Sequence, residues 1–324
     1  AAGCKFFAAY PMTPINSMIA YLAAKAKELN LVYYQPEDEI AGINSAIGAS
    51  SAGLRAMVAT SGGGFSLMTE AFGLAGMAEV PLVIIEGQRP GPSTGLPTWS
   101  GQGDLRFVLH ASQDDFPRII LAPGDQEECF WLTIEAFNLA DKYQTPVIIL
   151  VDKFLCESQK TVELFDESHV KIEQGFLLSK EDQEKDYLRY QITESGISPR
   201  PVIGRPGQTF IFNSDEHDPA GFSEESSDNR KAMMEKRMRK LETCAREIPI
   251  PIIYGNKEAG ISLVGWGSTK GVVLEAQKIL ADQGVETRFL HLNYLNPFPT
   301  EAVESFLQNS KQILMIEQNI TGQA

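Results

Sequence analysis

Cysteine and histidine are scarce, and none is spaced for a metal. The four cysteines, Cys4, Cys129, Cys156 and Cys244, stand far apart. No C-x-x-C pair exists, so neither an iron–sulfur cluster nor a structural zinc site is signalled in this chain. His110, His169, His217 and His291 also lack ligand spacing and read as ordinary surface or core residues. Positive charge is short as well: 28 basic residues face 42 acidic ones, a net charge of −14. A nucleic-acid or anionic-membrane binder is ordinarily basic, so both functions lose ground. A phosphate-rich coenzyme tail or an acidic redox carrier should dock mostly elsewhere for the same reason. No apolar run approaches the ~20 residues of a membrane span. The longest, Pro81–Glu86 and Pro146–Val151, are strand-sized. No signal peptide is visible, and sparse, unpatterned cysteine suits a reducing cytoplasm. The chain opens Ala-Ala-Gly-Cys without Met and stops just after a strand-like run, so both ends read as cut from a longer polypeptide.

What is present is ordinary globular material: 43% hydrophobic and 22% charged residues over 324 positions, enough for roughly two domains. From Phe6 to Asp152, short apolar runs alternate with amphipathic stretches. The runs Phe6–Tyr10, Leu31–Gln35, Arg55–Ser61, Pro81–Gly87, Arg118–Ala122 and Pro146–Asp152 are rich in Val, Ile, Leu and aromatics, as strands buried on both faces are. With helices between them, they predict an α/β fold: a doubly wound, mostly parallel six-stranded sheet over residues 1–162. Residues 163–255 break this rhythm with prolines and an acidic run, and read as an interdomain arm. Within it, Glu224–Arg246 predicts a charged helix packing a Met/Leu stripe on the body. Residues 256–324 begin a second, smaller α/β domain, truncated at its C-terminus.

In a doubly wound sheet, ligands bind beyond the carboxyl ends of the strands. After the first strand comes Tyr10-Pro11-Met12-Thr13-Pro14, a turn stiffened by two prolines. Taken by itself, Thr13 there reads first as the N-cap of the next helix and only second as a ligand contact. After the second comes Glu37-Asp38-Glu39, acids that suit a helix N-terminus. The helix they open is small and apolar, so a carboxylate at its head could meet a ligand instead of water and act as a proton partner. After the third comes Ser61-Gly62-Gly63-Gly64, where glycine allows close approach of a ligand or a backbone. The loop lacks the spacing of a P-loop or GxGxxG. After the fourth comes Arg89, placed to take a carboxylate with both guanidinium nitrogens, and then a Pro/Gly/Ser/Thr loop running to Thr98.

Together these runs resemble one family. Tyr10-Pro11-Met12-Thr13-Pro14 is similar to its YPxTP motif, Glu39 with Ala41, Gly42 and Gly48 to its cofactor-glutamate helix, and Arg89 to Thr98 to its R-x-G-P-S-T-G-L-P-T segment. The family is the alpha subunit of 2-oxoacid:ferredoxin oxidoreductases, the 2-oxoglutarate type above all. Residues 1–162 then resemble a thiamine-diphosphate pyrimidine-binding domain, and residues 256–324 a transketolase-C-like domain. Gly62-Gly63-Gly64 departs from the family's more usual Gly-Pro-Gly. The resemblance implies oxidative decarboxylation of a 2-oxoacid to acyl-coenzyme A with reduction of ferredoxin. It implies that Glu39 holds the coenzyme's aminopyrimidine, with Ser61, Gly62 and Gly63 as further cofactor contacts. It implies that Thr13 and Arg89 hold the substrate, with Tyr10 and Thr98 lining the pocket. It further implies a beta partner carrying Mg2+, the diphosphate site and a 4Fe–4S cluster, and a gamma domain or subunit that shares coenzyme A binding. Two readings compete: another thiamine-dependent decarboxylase or dehydrogenase chain, against which the Arg89–Thr98 segment speaks, and a non-catalytic nucleotide-binding or scaffold subunit. The scaffold reading predicts that Thr13, Glu39 and Arg89 lie scattered.

Overall fold

The computed structural model describes residues 1–179, 187–308 and 310–324. Part of the arm, residues 180–186, therefore lies outside the described residues. The first half of the chain winds β1 (Phe6–Ala8), α1 (Asn16–Lys25), β2 (Val32–Tyr34), α2 (Glu39–Ser51), β3 (Ala56–Thr60), α3 (Gly62–Met77) and β4 (Leu82–Gln88). It continues through α4 (Leu105–His110), β5 (Ile119–Leu121), α5 (Gln126–Tyr143), β6 (Pro146–Asp152) and α6 (Lys153–Glu157). Then come α7 (Ser227–Ala245), β7 (Ile252–Gly255), β8 (Ile261–Trp266), α8 (Thr269–Asp282), β9 (Thr287–Leu292), β10 (Tyr294–Asn296), α9 (Thr300–Gln308) and β11 (Gln312–Ile316).

The larger sheet has the order β10-β5-β6-β4-β3-β1-β2. Its six expected strands are all parallel, and a seventh, β10, joins antiparallel at the β5 edge. The central strands β4 and β6 are buried along all seven residues, which is why they read as unbroken apolar runs. Alternate residues feed two cores. Val58, Ile84 and Ile148 face α2, α3 and α4 and meet Trp266 and Leu290 of the second sheet. Met57, Val83 and Ile149 face α1, α5 and α6 on the other side. The smaller sheet runs β11-β8-β9-β7 with β7 antiparallel.

β1 pairs with β2 on one side and β3 on the other, so the turns leaving β1 and β3 flank a switch point, where open α/β sheets leave a crevice. The C-terminal unit is tied to this end of the larger sheet. Ser268 donates to the Asp152 carboxylate, and Gln102 donates to the Trp266 carbonyl at 2.9 Å.

The arm departs from the expected Met/Leu stripe. Met233 and Cys244 of α7 are buried, yet so are Lys236, Arg237 and Lys240. The reason is Glu79, a fully buried acid whose two oxygens lie 2.5 Å from the ammonium groups of Lys236 and Lys240. Glu79 stands just past α3 with a φ of 53°, a left-handed conformation usually left to glycine. A glycine there would strand both ammonium groups in the core. The two lysines and the Arg189 guanidinium hold the Glu79 carboxyl far below the usual range despite its burial. Burial pushes Lys236 down to about 7 and Lys240 to about 8.

Candidate active site

The candidate residues other than Thr98 stand in the turns that follow β1, β2, β3 and β4. Asp38 occupies the N-cap of α2, its Oδ1 accepting from the Ala41 amide at 2.8 Å. That leaves Glu39, the first residue of the helix, free of capping duty. Its side chain is buried, and Oε1 has no hydrogen-bond partner. A buried polar oxygen without a donor is costly unless something else supplies one. Gly64 faces it: a Cβ there would stand 2.6 Å from Glu39 Oε1 and 2.0 Å from Thr60 Oγ1. The third glycine of the turn is thus obligatory for close approach, whereas Gly63 opens on free space. Ser61 holds the N-cap position of α3, but its hydroxyl caps nothing and is buried without a partner.

Thr13 is not an N-cap, because α1 begins at Asn16 behind Ile15. Instead its carbonyl accepts from Arg89 Nη1 at 2.7 Å, across from β1 to β4. The adjacent Met12 sulfur receives the Thr60 hydroxyl at 4.0 Å. The contacts therefore run continuously from Arg89 through Thr13 and Met12 to Thr60, Gly64 and Glu39. The three residues that a scaffold would scatter are gathered at the switch point. Tyr10, 39% exposed, and Thr98, also exposed, make no hydrogen bond to this group. The loop beyond Arg89 folds on itself, with Leu96 donating to the Pro90 carbonyl at 2.9 Å. Gly95 makes that possible: its φ is +54°, and a Cβ would collide with the Pro90 oxygen at 1.8 Å.

Two acids that sequence reasoning did not single out lie beside this group. Glu86 sits in β4 opposite Thr60 of β3 and is fully buried. Asp104 stands at the N-cap of α4 without capping it, its Oδ2 2.8 Å from where a Gly62 Cβ would be. Burial, and then the neighbouring Asp104, hold the Glu86 carboxyl well above its usual range. Burial also raises Asp104. The signal for Glu86 was a charge inside an otherwise apolar strand run, which chains rarely tolerate without a partner. The larger grooves of about 590 Å3, between α5 and residues 169–173, and 670 Å3, between α6 and α8, are not lined by Glu39, Thr13 or Arg89. The candidate site is the set of turns beyond the carboxyl ends of β1, β3 and β4, with Glu39, Thr60 and Ser61 buried beneath them.

The fold and these turns define a doubly wound α/β protein with a buried acid and a glycine turn at its switch point. The chain belongs to the pyruvate flavodoxin/ferredoxin oxidoreductase family of thiamine-diphosphate-binding domains, which matches residues 1–237. Core domain II of pyruvate:ferredoxin oxidoreductase matches residues 259–324. Among curated relatives, the chain is 41% identical to a 2-oxoacid:ferredoxin oxidoreductase alpha subunit of Aeropyrum pernix, over 97% of this chain and 51% of that one. It is 32% identical to the 2-oxoglutarate synthase subunit KorA of Methanothermobacter thermautotrophicus, over 98% of this chain and 84% of that one. Among solved structures it superposes on the 2-oxoglutarate:ferredoxin oxidoreductase of Magnetococcus marinus with a TM-score of 0.95 and 36% identity, covering 99% of this chain and 56% of that one. That structure has 2-oxoglutarate, coenzyme A and succinyl-CoA bound. The chain spans about half the length of the first of these curated relatives. A split-gene transketolase, 12% identical with a TM-score of 0.53, shares the fold alone.

Proposed function

We propose that this chain is the alpha subunit of a 2-oxoacid:ferredoxin oxidoreductase and supplies half of its active site. The observation that carries this reading is Glu39: buried, unpartnered, freed from capping by Asp38, and facing the one glycine whose Cβ would fill the space beside it. A buried acceptor without a donor fits the protonated ring nitrogen of an aminopyrimidine, and the Ser61 hydroxyl, buried without a partner, fits the rest of that ring together with Gly62 and Gly63. When bound, thiamine diphosphate supplies the nucleophilic carbon and the electron sink for decarboxylation. Glu39 holds the proton at the ring nitrogen. Arg89, anchored on the Thr13 carbonyl through Nη1, keeps its remaining donors for the substrate carboxylate. Thr13 offers its hydroxyl to the keto oxygen, and Tyr10 and Thr98 line the mouth.

A beta partner completes the active site of the working enzyme. To that partner we assign the diphosphate site, Mg2+ and a 4Fe–4S cluster, because the cysteines of this chain stand singly. Ferredoxin takes the electrons and coenzyme A the acyl group, with a gamma domain sharing the coenzyme A contact. The preferred substrate is 2-oxoglutarate, supported by the ligands of the Magnetococcus structure and the name of the methanogen relative. A cytoplasmic location accords with the unpatterned cysteines. The test is ferredoxin-coupled oxidation of a panel of 2-oxoacids with coenzyme A, using the complete complex with wild-type Arg89 or Arg89→Lys. We expect 2-oxoglutarate to be oxidised fastest. The lysine, which keeps the charge but loses the fork, should raise KM about 10- to 100-fold. Absence of turnover on every 2-oxoacid would refute the reading.

A further inference from the structure

The proposed reaction gives Glu86 nothing to do, yet its placement is demanding. Its side chain is fully buried in β4, and neither carboxyl oxygen has a donor among the described residues. The strand register puts Thr60 on one side and Leu150 on the other. Leu150 has nothing to give, and the Thr60 hydroxyl is turned to the Ser61 carbonyl and the Met12 sulfur. The group within hydrogen-bonding reach is the Asp104 carboxyl. Asp104 is pinned there from two directions, its amide held by Gln88 Oε1 at 3.1 Å and its Oδ2 packed over Gly62. Glu86 is fully buried and Asp104 half-buried, and two carboxyl groups this close in a site with so little water resist carrying two negative charges. One proton must lie between them.

We propose that Glu86 and Asp104 form a one-proton carboxyl dyad that sets the charge beside Arg89 and so tunes how firmly the substrate carboxylate is held. This rests on the reading of Arg89 as the carboxylate-binding group. Glu86 is the better buried of the two and keeps the proton, donating to Asp104. With the proton in place, Arg89 and the dyad sum to zero charge, and an incoming carboxylate meets the guanidinium without net repulsion. Without it, the group carries one extra negative charge and the carboxylate is repelled. The other ionisable group felt near Glu86 is the Cys156 thiol of α6, pushed far up by burial and therefore neutral. β3 and the α3 turn contribute only Thr60, Ser61 and glycines, which do not titrate. Asp152, at the end of β6, is held by the Ser268 hydroxyl. Glu86 and Asp104 are thus positioning residues that act through Arg89.

The test uses the complete complex carrying wild-type Glu86 or Glu86→Gln, a change that keeps the shape and a donor but removes the proton that can leave. Difference infrared spectra at neutral pH should show a protonated-carboxyl absorption in the wild type that Glu86→Gln lacks. In steady state, the wild-type KM for the 2-oxoacid should rise toward alkaline pH by on the order of tenfold, the effect of one screened unit charge near the ligand. In Glu86→Gln the KM should stay flat, with kcat showing the same pH profile in both. Identical carboxyl absorption in the two proteins, or parallel KM profiles, would overturn the proposal. Should Glu86→Gln fail to fold, Asp104→Asn carries the test: it removes the negative charge, so KM at neutral pH must fall, and an unchanged KM overturns the dyad's role. The infrared band needs no turnover. A complex inert toward every 2-oxoacid therefore sinks the functional reading without touching the dyad.

Discussion

Replacing Glu39 by Gln should separate function from stability more sharply than any other change in this chain. Glu39 Oε1 is buried and unpartnered, and a polar group in that state costs about 1–3 kcal/mol of stability. The amide of Gln removes the charge while keeping shape, so the folded chain should lose no more than about 1 kcal/mol and could gain that much. Asp38 keeps the helix capped in either case. Activity should behave oppositely. Loss of a positioned proton partner typically lowers the rate about 10²- to 10⁴-fold, which corresponds to roughly 3–5 kcal/mol of transition-state stabilisation. The assay pairs ferredoxin-coupled turnover of the complex with thermal unfolding measured with and without thiamine diphosphate and Mg2+. Coenzyme at about 100 times its Kd should stabilise the wild type by roughly 2.7 kcal/mol, and the variant by clearly less. If Glu39 were only a helix-end charge, the pattern would reverse: turnover and the coenzyme-induced shift would survive, and stability would fall by about 0.3–1 kcal/mol. That result would refute the assignment of Glu39.

Gly64→Ala should push the Glu39 side chain aside, because the new Cβ would lie 2.6 Å from its Oε1 and 2.0 Å from Thr60 Oγ1. A coenzyme titration of turnover should show at least about a tenfold weaker affinity, despite roughly 1 kcal/mol of gained helix propensity; an unchanged saturation curve would contradict the geometry. Glu79→Gln leaves Lys236 and Lys240 buried without their counter-ion, and urea unfolding should register a loss of about 3–5 kcal/mol. The pH dependence of that cluster has a definite sign. Lys236, lowered to about 7 from 10.5, binds fewer protons folded than unfolded above that pH, so its contribution to stability rises as pH climbs from about 7. Relative to Lys236→Met, the wild type should therefore gain stability between neutral and mildly alkaline pH, by at most about 1.4 kcal/mol per pH unit. Parallel pH curves for the two would refute it.

How far the fold could be read from the sequence depended on how local each cause was. Pro146–Asp152 is legible to the residue, since two-sided burial demands an unbroken apolar run; Ile261–Trp266 and Thr287–Leu292 are legible as well, from their β-branched, aromatic and leucine content. β10 is not: Tyr294-Leu295-Asn296 is three residues ahead of a proline, and only its partner β5 makes it a strand. β7, hemmed by Pro249 and Pro251 and facing solvent at a sheet edge, hides for the same reason. The buried lysines of α7 read as a solvated face because their counter-charge, Glu79, lies far away in sequence. At the site, Glu39, Thr13 and Arg89 could be found by reading the few residues just beyond each strand. Glu86 and Asp104 could not be paired that way, because their contact depends on where α4 docks. Tyr10 and Thr98 are solvent-facing in this chain, and their assignment leans on the family motifs alone.

The late strand β10 also dictates the order in which the molecule can be finished. Tyr294 pairs with Leu121 and Asn296 with Ile120, so the border of the first sheet is laid down by residues made after the whole arm and most of the second sheet. A nascent chain that stops short of residue 294 exposes β5 as a bare ladder of amides and carbonyls, an invitation to mispairing. Pairing over so long a stretch of chain is slow to form. The closing stitch then joins β5 of the larger sheet to residues that directly follow β9 of the smaller one, so the two sheets are fastened in a single step.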